Sequence, residues 1–114
     1  NDKVVMLKPM DKEQAEELIQ TFEHPGAAWI NDAKQRSHQY VKCVSTGNRD
    51  EIAKIANTLM RKNHELKMNN KRLYDQDRSF LQTVQSILYK EMALVLDTTY
   101  EAIEERINRL ILGA

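Results

Sequence analysis

The stretch LQTVQSILYKEMALV (residues 81–95) places Leu81, Val84, Leu88, Met92 and Val95 at intervals of three and four. That spacing puts all five on one face of an α-helix, which predicts a long amphipathic helix starting at Tyr74 or Asp75. Downstream, Asp97-Thr98 breaks it, and Thr98 with Glu101 makes a capping box for a last helix. That helix carries Ile103, Ile107, Leu110 and Ile111 and stops near Gly113.

Working upstream, residues 63–74 (NHELKMNNKRLY) lose the clean period, and Asn69-Asn70 predicts a turn. Before it, Asn48 paired with Glu51 opens a helix defined by Ile52, Ile55, Ala56, Leu59 and Met60. Gly47 suits the residue just past the end of a preceding helix. That helix is capped by Asn31 or Asp32 and carries Ala33, Tyr40, Val41 and Val44. Asp11 with Gln14 opens the first helix, whose face is Ala15, Leu18, Ile19 and Phe22, until His24-Pro25-Gly26 stops it. Residues 3–9 (KVVMLKP) read as extended. The expected fold is all-α: one compact domain of about five helices over residues 11–114, with residues 1–10 an extended linker.

Short helices are marginal alone, so these faces must share one core. Each large apolar side chain fully buried there contributes about 1.5–3 kcal/mol. The length, 114 residues, suits one domain. A single cysteine excludes an internal disulfide, and no apolar run reaches the roughly 20 residues that cross a bilayer. Asn1-Asp2-Lys3 is no signal peptide and lacks an initiator Met, so the expectation is a domain whose native start is missing.

The charges sum to zero, but unevenly. Residues 24–78 carry eleven basic and six acidic groups, net +5, between flanks of net −3 (residues 1–23) and −2 (residues 79–114). A basic middle creates a local field for an anionic partner.

No catalytic or metal-binding constellation assembles. There is no Gly-rich phosphate loop, no Cys-x-x-Cys and no His-Glu-x-x-His. His38 and Cys43, five apart on one helix, face different ways, and Cys43 lies beside Val44 as a small buried thiol would. An enzyme, a metal and a cofactor are therefore not expected. Glu91 lies among Leu88, Met92 and Val95, where a carboxylate needs a partner. Arg61, just after Leu59 and Met60, is the expected partner in a structural ion pair, with Arg72 as the fallback. Trp29, the sole tryptophan, sits in the connector AAWI beside Pro25-Gly26 and upstream of Lys34 and Arg36. It reads either as a plug over helix ends or as an exposed apolar wedge flanked by phosphate-binding cations.

Three runs, taken in order, resemble one family: EIAKIANTLMRK (51–62), KRLYDQDRSFLQTVQSILYKEMALVLDTTYEAIEERI (71–107) and, upstream, AEELIQTFEHPGAAWINDAKQR (15–36). Within the second, ILYKEMALVLDTTYEAI (87–103) is similar to a hydrophobic signature helix followed by a capped final helix. The family is that of the CarD/CdnL bacterial transcription regulators, in its C-terminal helical domain. The resemblance implies a DNA-binding module that contacts promoter DNA at the upstream edge of the transcription bubble and supports the RNA polymerase open complex. It implies a tryptophan in the minor groove, here Trp29, with Lys34, Arg36 and Arg78 on phosphates. It also implies an RNA polymerase β-subunit contact made by an N-terminal domain outside this chain, and a cytoplasmic, nucleoid-associated place of action. Tyr74 stands where the family usually has a Ser cap. Neutrality overall implies weak autonomous affinity for DNA. The alternative is a helical protein–protein interaction domain without DNA contact.

Overall fold

In the computed structural model, residues 9–113 are described, so most of the 3–9 stretch lies outside them. The described residues form five α-helices: α1 (Lys12–Gln20), α2 (Ala33–Ser45), α3 (Arg49–Met68), α4 (Asp75–Val95) and α5 (Tyr100–Leu112). One 3-10 turn, Thr21–Glu23, prolongs α1. The all-α expectation holds, and the helices make a slab 39 × 38 × 20 Å.

Caps set most of the boundaries. Asp11 and Gln14 form a complete capping box, with Gln14 N–H donating to Asp11 Oδ1 at 2.8 Å and Asp11 N–H to Gln14 Oε1 at 3.0 Å. Asp32 caps α2 through the Gln35 N–H at 2.9 Å, and Asn48 caps α3 through the Glu51 N–H at 3.1 Å. Each satisfies a backbone donor that the helix itself leaves unpaired.

Two boundaries differ from expectation. Helix α3 continues to Met68, through residues expected to be irregular. Nothing in 63–68 breaks a helix, and Leu66 packs half-buried against the core. The helix ends at Asn69, with Asn70 left-handed (φ 59°) and the Lys71 N–H closing on the Leu66 carbonyl at 2.8 Å. Helix α5 is capped by Thr99, whose Oγ1 accepts from Ala102 N–H at 3.1 Å, rather than by Thr98. Thr98 is already engaged in ending α4. Its N–H donates to the Ala93 carbonyl at 2.9 Å, past a left-handed Asp97 (φ 54°).

Helices α3 and α4, joined by the short connector 69–74, form an antiparallel pair at the centre, and α5 packs on α4. The core runs through Ile52, Ala56 and Leu59 of α3, Val84, Leu88 and Met92 of α4, and Ile103 and Ile107 of α5. Ala15, Ile19 and Phe22 close one side. No described helix is long and apolar enough to cross a membrane.

Candidate nucleic-acid interface

The connector from His24 to Asp32 carries Trp29 and has no secondary structure of its own, yet it is pinned on both sides. On the α3 side, Thr58 Oγ1 accepts from Ala27 N–H at 2.8 Å, and Asn57 Nδ2 donates to the His24 carbonyl at 2.7 Å. Gly26 makes this approach possible. A Cβ there would lie 2.9 Å from both the Lys54 carbonyl oxygen and the Thr58 nitrogen, inside contact distance.

Arg36 pins the other side. Its Nη1 donates to the Ile30 carbonyl at 2.7 Å, while Nε and Nη2 grip Asp77 of α4 at 3.1 and 2.5 Å. Arg36 and Asp77 are 3% and 5% exposed. The hydrogen bond from Arg36 to Asp77 raises the Arg36 pKa above its ordinary value, against the opposing effect of burial. The guanidinium also lies 4.3 Å from the Trp29 ring centroid and 5.9 Å from that of Tyr74.

The expectation that Arg36 meets phosphate is therefore corrected. Its donors are committed inside the fold, because two connector carbonyls and a buried carboxylate would otherwise be unpaired. Trp29 is half-buried and packed against the core, with the Lys62 Nζ 5.1 Å from its ring. Lys34 is exposed in the first turn of α2. Arg78 is half-exposed and bonded to Asp75 at 2.8 Å.

Beside Trp29 opens a groove of about 230 Å³ that also takes in Lys62, Lys71, Arg72 and Tyr74, with the Arg36–Asp77 pair on its wall. Lys71, Arg72 and Tyr74 are exposed. Lys71 and Arg72 also line a neighbouring groove with Lys67 and Arg78. The basic strip is thus built on the end of α3, the connector 69–74 and the start of α4, rather than on α2. Lys62, Lys67 and Lys71 join the site although the helical pattern does not single them out. Their one signal in the chain is the run of cations across 61–72, obscured because 63–74 lacks a clean helical period.

The expected Glu91–Arg61 pair is also corrected. Glu91 is held by Arg49, Nε to Oε1 at 2.8 Å and Nη2 to Oε2 at 2.5 Å. In an antiparallel pair the end of α4 meets the start of α3, which brings residue 49 to residue 91 and carries residue 61 away. Arg61 instead donates to Asn57 Oδ1 at 2.7 Å and to the Phe22 carbonyl at 2.6 Å, satisfying the C-terminal end of the first helical segment. Arg72, the fallback, lies on the groove.

Cys43 is half-buried, and burial raises its thiol pKa, the opposite of an activated nucleophile. Among the described residues, no three His, Cys, Asp or Glu side chains gather into a metal site.

No curated protein matches the chain. The family model of the CarD C-terminal domain matches residues 17–108, a span that runs from α1 into α5 and contains the whole groove. The chain therefore belongs to the CarD C-terminal domain family, a family of transcription-regulator domains.

Proposed function

We propose that this domain is the DNA-binding module of a CarD-like regulator, contacting promoter DNA at the upstream edge of the transcription bubble and supporting the RNA polymerase open complex. In this reading a separate N-terminal domain contacts the polymerase β subunit, and the protein acts in the cytoplasm on the nucleoid. The observation that carries the reading is the juxtaposition of Trp29 with Lys62, Lys71 and Arg72 around one groove. An aromatic surface ringed by cations suits bases and the phosphates that link them. Lys34 and Arg78, both exposed, add phosphate contacts in this reading, and Arg36 serves as the brace behind Trp29.

The test is binding of labelled duplex DNA by the wild type and by a Lys71→Glu, Arg72→Glu double variant across a salt series. Both residues are exposed, so their replacement leaves stability within about 0.5 kcal/mol per site. Affinity for unrelated duplexes falls together, and the salt slope becomes shallower by about one for each phosphate no longer neutralised. An unchanged slope would remove this face as the DNA-binding surface.

The protein-interaction reading rests on another surface. Val41, 57% exposed, lies with half-buried Phe80 along a groove between α2 and α4. Retention of a protein partner by the double variant, with no duplex binding by the wild type, would favour it.

A further inference from the structure

We infer that the groove between α2 and α4 docks one acidic amphipathic helix of a protein partner, a role separate from the DNA contact proposed above. The groove holds about 300 Å³ and is lined in part by Tyr40 and Val41 of α2 and by Phe80 and Thr83 of α4. Buried Asp77 is the only residue it shares with the groove beside Trp29. Its floor is preformed. The Tyr40 ring stacks on Phe80 at 5.7 Å, and Gln76 Nε2 donates to Ser37 Oγ at 2.7 Å between the two helices. A groove already in shape loses little entropy when a partner arrives.

Apolar surface continues along α4 beyond the groove. Phe80, Ile87 and Leu94 recur every seven residues, which sets them in one nearly straight stripe on the helix. Ile87 is 48% exposed and Leu94 83% exposed, and Val41 of α2 is 57% exposed. From Phe80 to Leu94 the stripe runs about 21 Å, roughly four turns of helix. Apolar side chains offer a partner's backbone no hydrogen bonds, so a segment laid on them must pair its own peptide groups. An α-helix does so, and its apolar face fits a groove between two helices. Duplex DNA exposes phosphates and sugars and has no apolar ridge to match this stripe.

Charge sets the sign of the partner. Helix α2 contains no Asp or Glu, and the carboxylates of α4, Asp75, Asp77 and Glu91, are each held by an arginine. Lys42, next to Val41, and Lys90, between Ile87 and Leu94, are exposed, one on each helix. A helix with carboxylates flanking its apolar face complements them.

The experiment titrates the 114-residue chain into a fluorescein-labelled synthetic peptide and follows anisotropy. The peptide has about 18 residues, enough to cover the stripe, with Leu at spacings of three and four and Glu elsewhere. Two controls run in parallel: the same pattern with Lys for Glu, and a scramble that breaks the spacing. The Glu peptide binds saturably and about tenfold tighter than either control. Replacing Ile87→Ser and Leu94→Ser together, both at exposed sites, weakens it by about tenfold. That variant binds labelled duplex DNA as the wild type does. The pair Lys42→Glu and Lys90→Glu reverses the preference toward the Lys peptide. No preference for the Glu peptide over the scramble, or one indifferent to both double variants, overturns the docking. Loss of duplex affinity in the Ile87→Ser, Leu94→Ser variant also overturns it and gives this face to nucleic acid. A wild type that dimerises in sedimentation, beside a Ser variant that does not, overturns it in favour of a second copy. Duplex DNA left unbound by every protein, with the Glu peptide bound as described, refutes the DNA reading alone and supports the docking.

Discussion

Arg36 holds Trp29 from below: the guanidinium carbon lies 4.3 Å from the indole centroid while the same group grips Asp77 at 2.5 Å. One side chain thereby joins α2, the Trp29 connector and α4, and the aromatic wall of the groove depends on it.

Asp77→Ala leaves the Arg36 charge buried without its carboxylate. The expected loss is about 3–5 kcal/mol of unfolding free energy, measured by urea titration. Trp29 emission should shift under native conditions as the ring loses its brace. A variant as stable as the wild type, with unshifted emission, would contradict the assigned role. By the same logic, Arg36→Glu lowers DNA binding through loss of structure, so its thermal midpoint falls along with its affinity.

Gly26→Ala tests how the connector seats on α3. The added methyl meets the Lys54 carbonyl and the Thr58 nitrogen, backbone atoms that cannot swing aside. A cost of about 1–3 kcal/mol is expected, as for overpacking elsewhere, with a change in Trp29 fluorescence. Thermal denaturation followed by circular dichroism and by emission measures both effects.

The Arg49–Glu91 contact is bidentate, with side chains 20% and 27% exposed. A double-mutant cycle with Arg49→Ala and Glu91→Ala should return a coupling of about 0.5–3 kcal/mol. The parallel cycle of Arg61→Ala with Glu91→Ala should be additive, because Arg61 acts on Asn57 and the Phe22 carbonyl.

Glu16 and Arg106 link α1 to α5, with Arg106 donating to Glu16 at 2.6 and 3.2 Å. The hydrogen bond from Arg106 holds the Glu16 carboxyl below its ordinary pKa of 4.5. A carboxyl lowered in the folded state stabilises the fold above the unfolded pKa. That contribution is lost as pH falls below 4.5 and through the folded value. Both side chains are over 40% exposed, so solvent screening limits the contribution to roughly 1 kcal/mol or less. Glu16→Gln should therefore remove a small acid-side drop in melting temperature, and salt should shrink the wild-type drop.

Much of the fold is legible in the chain because helices announce themselves locally. The periodic faces in 15–22, 52–60, 81–95 and 103–111 and the caps at Asp11, Asp32 and Asn48 depend on neighbours three or four residues apart. The two displaced boundaries are local in origin as well. An aperiodic run with no helix breaker stays helical to Met68, and the close of α4 takes Thr98 before it can cap α5.

An all-α domain, a basic middle and a conspicuous Trp29 all follow from the order of the residues alone. What the charged residues do follows only from how the helices pack. Arg36 and Asp77 are 41 residues apart, as Arg49 and Glu91 are 42 apart. Helix periodicity says which side of its own helix an arginine occupies, but says nothing about the residue that faces it from another helix. That partner decides whether a cation is consumed inside the fold, as Arg36, Arg49 and Arg61 are, or remains at the surface, as Lys71 and Arg72 do. A buried charge left unpaired costs several kcal/mol, so burial and pairing settle together when the helices pack.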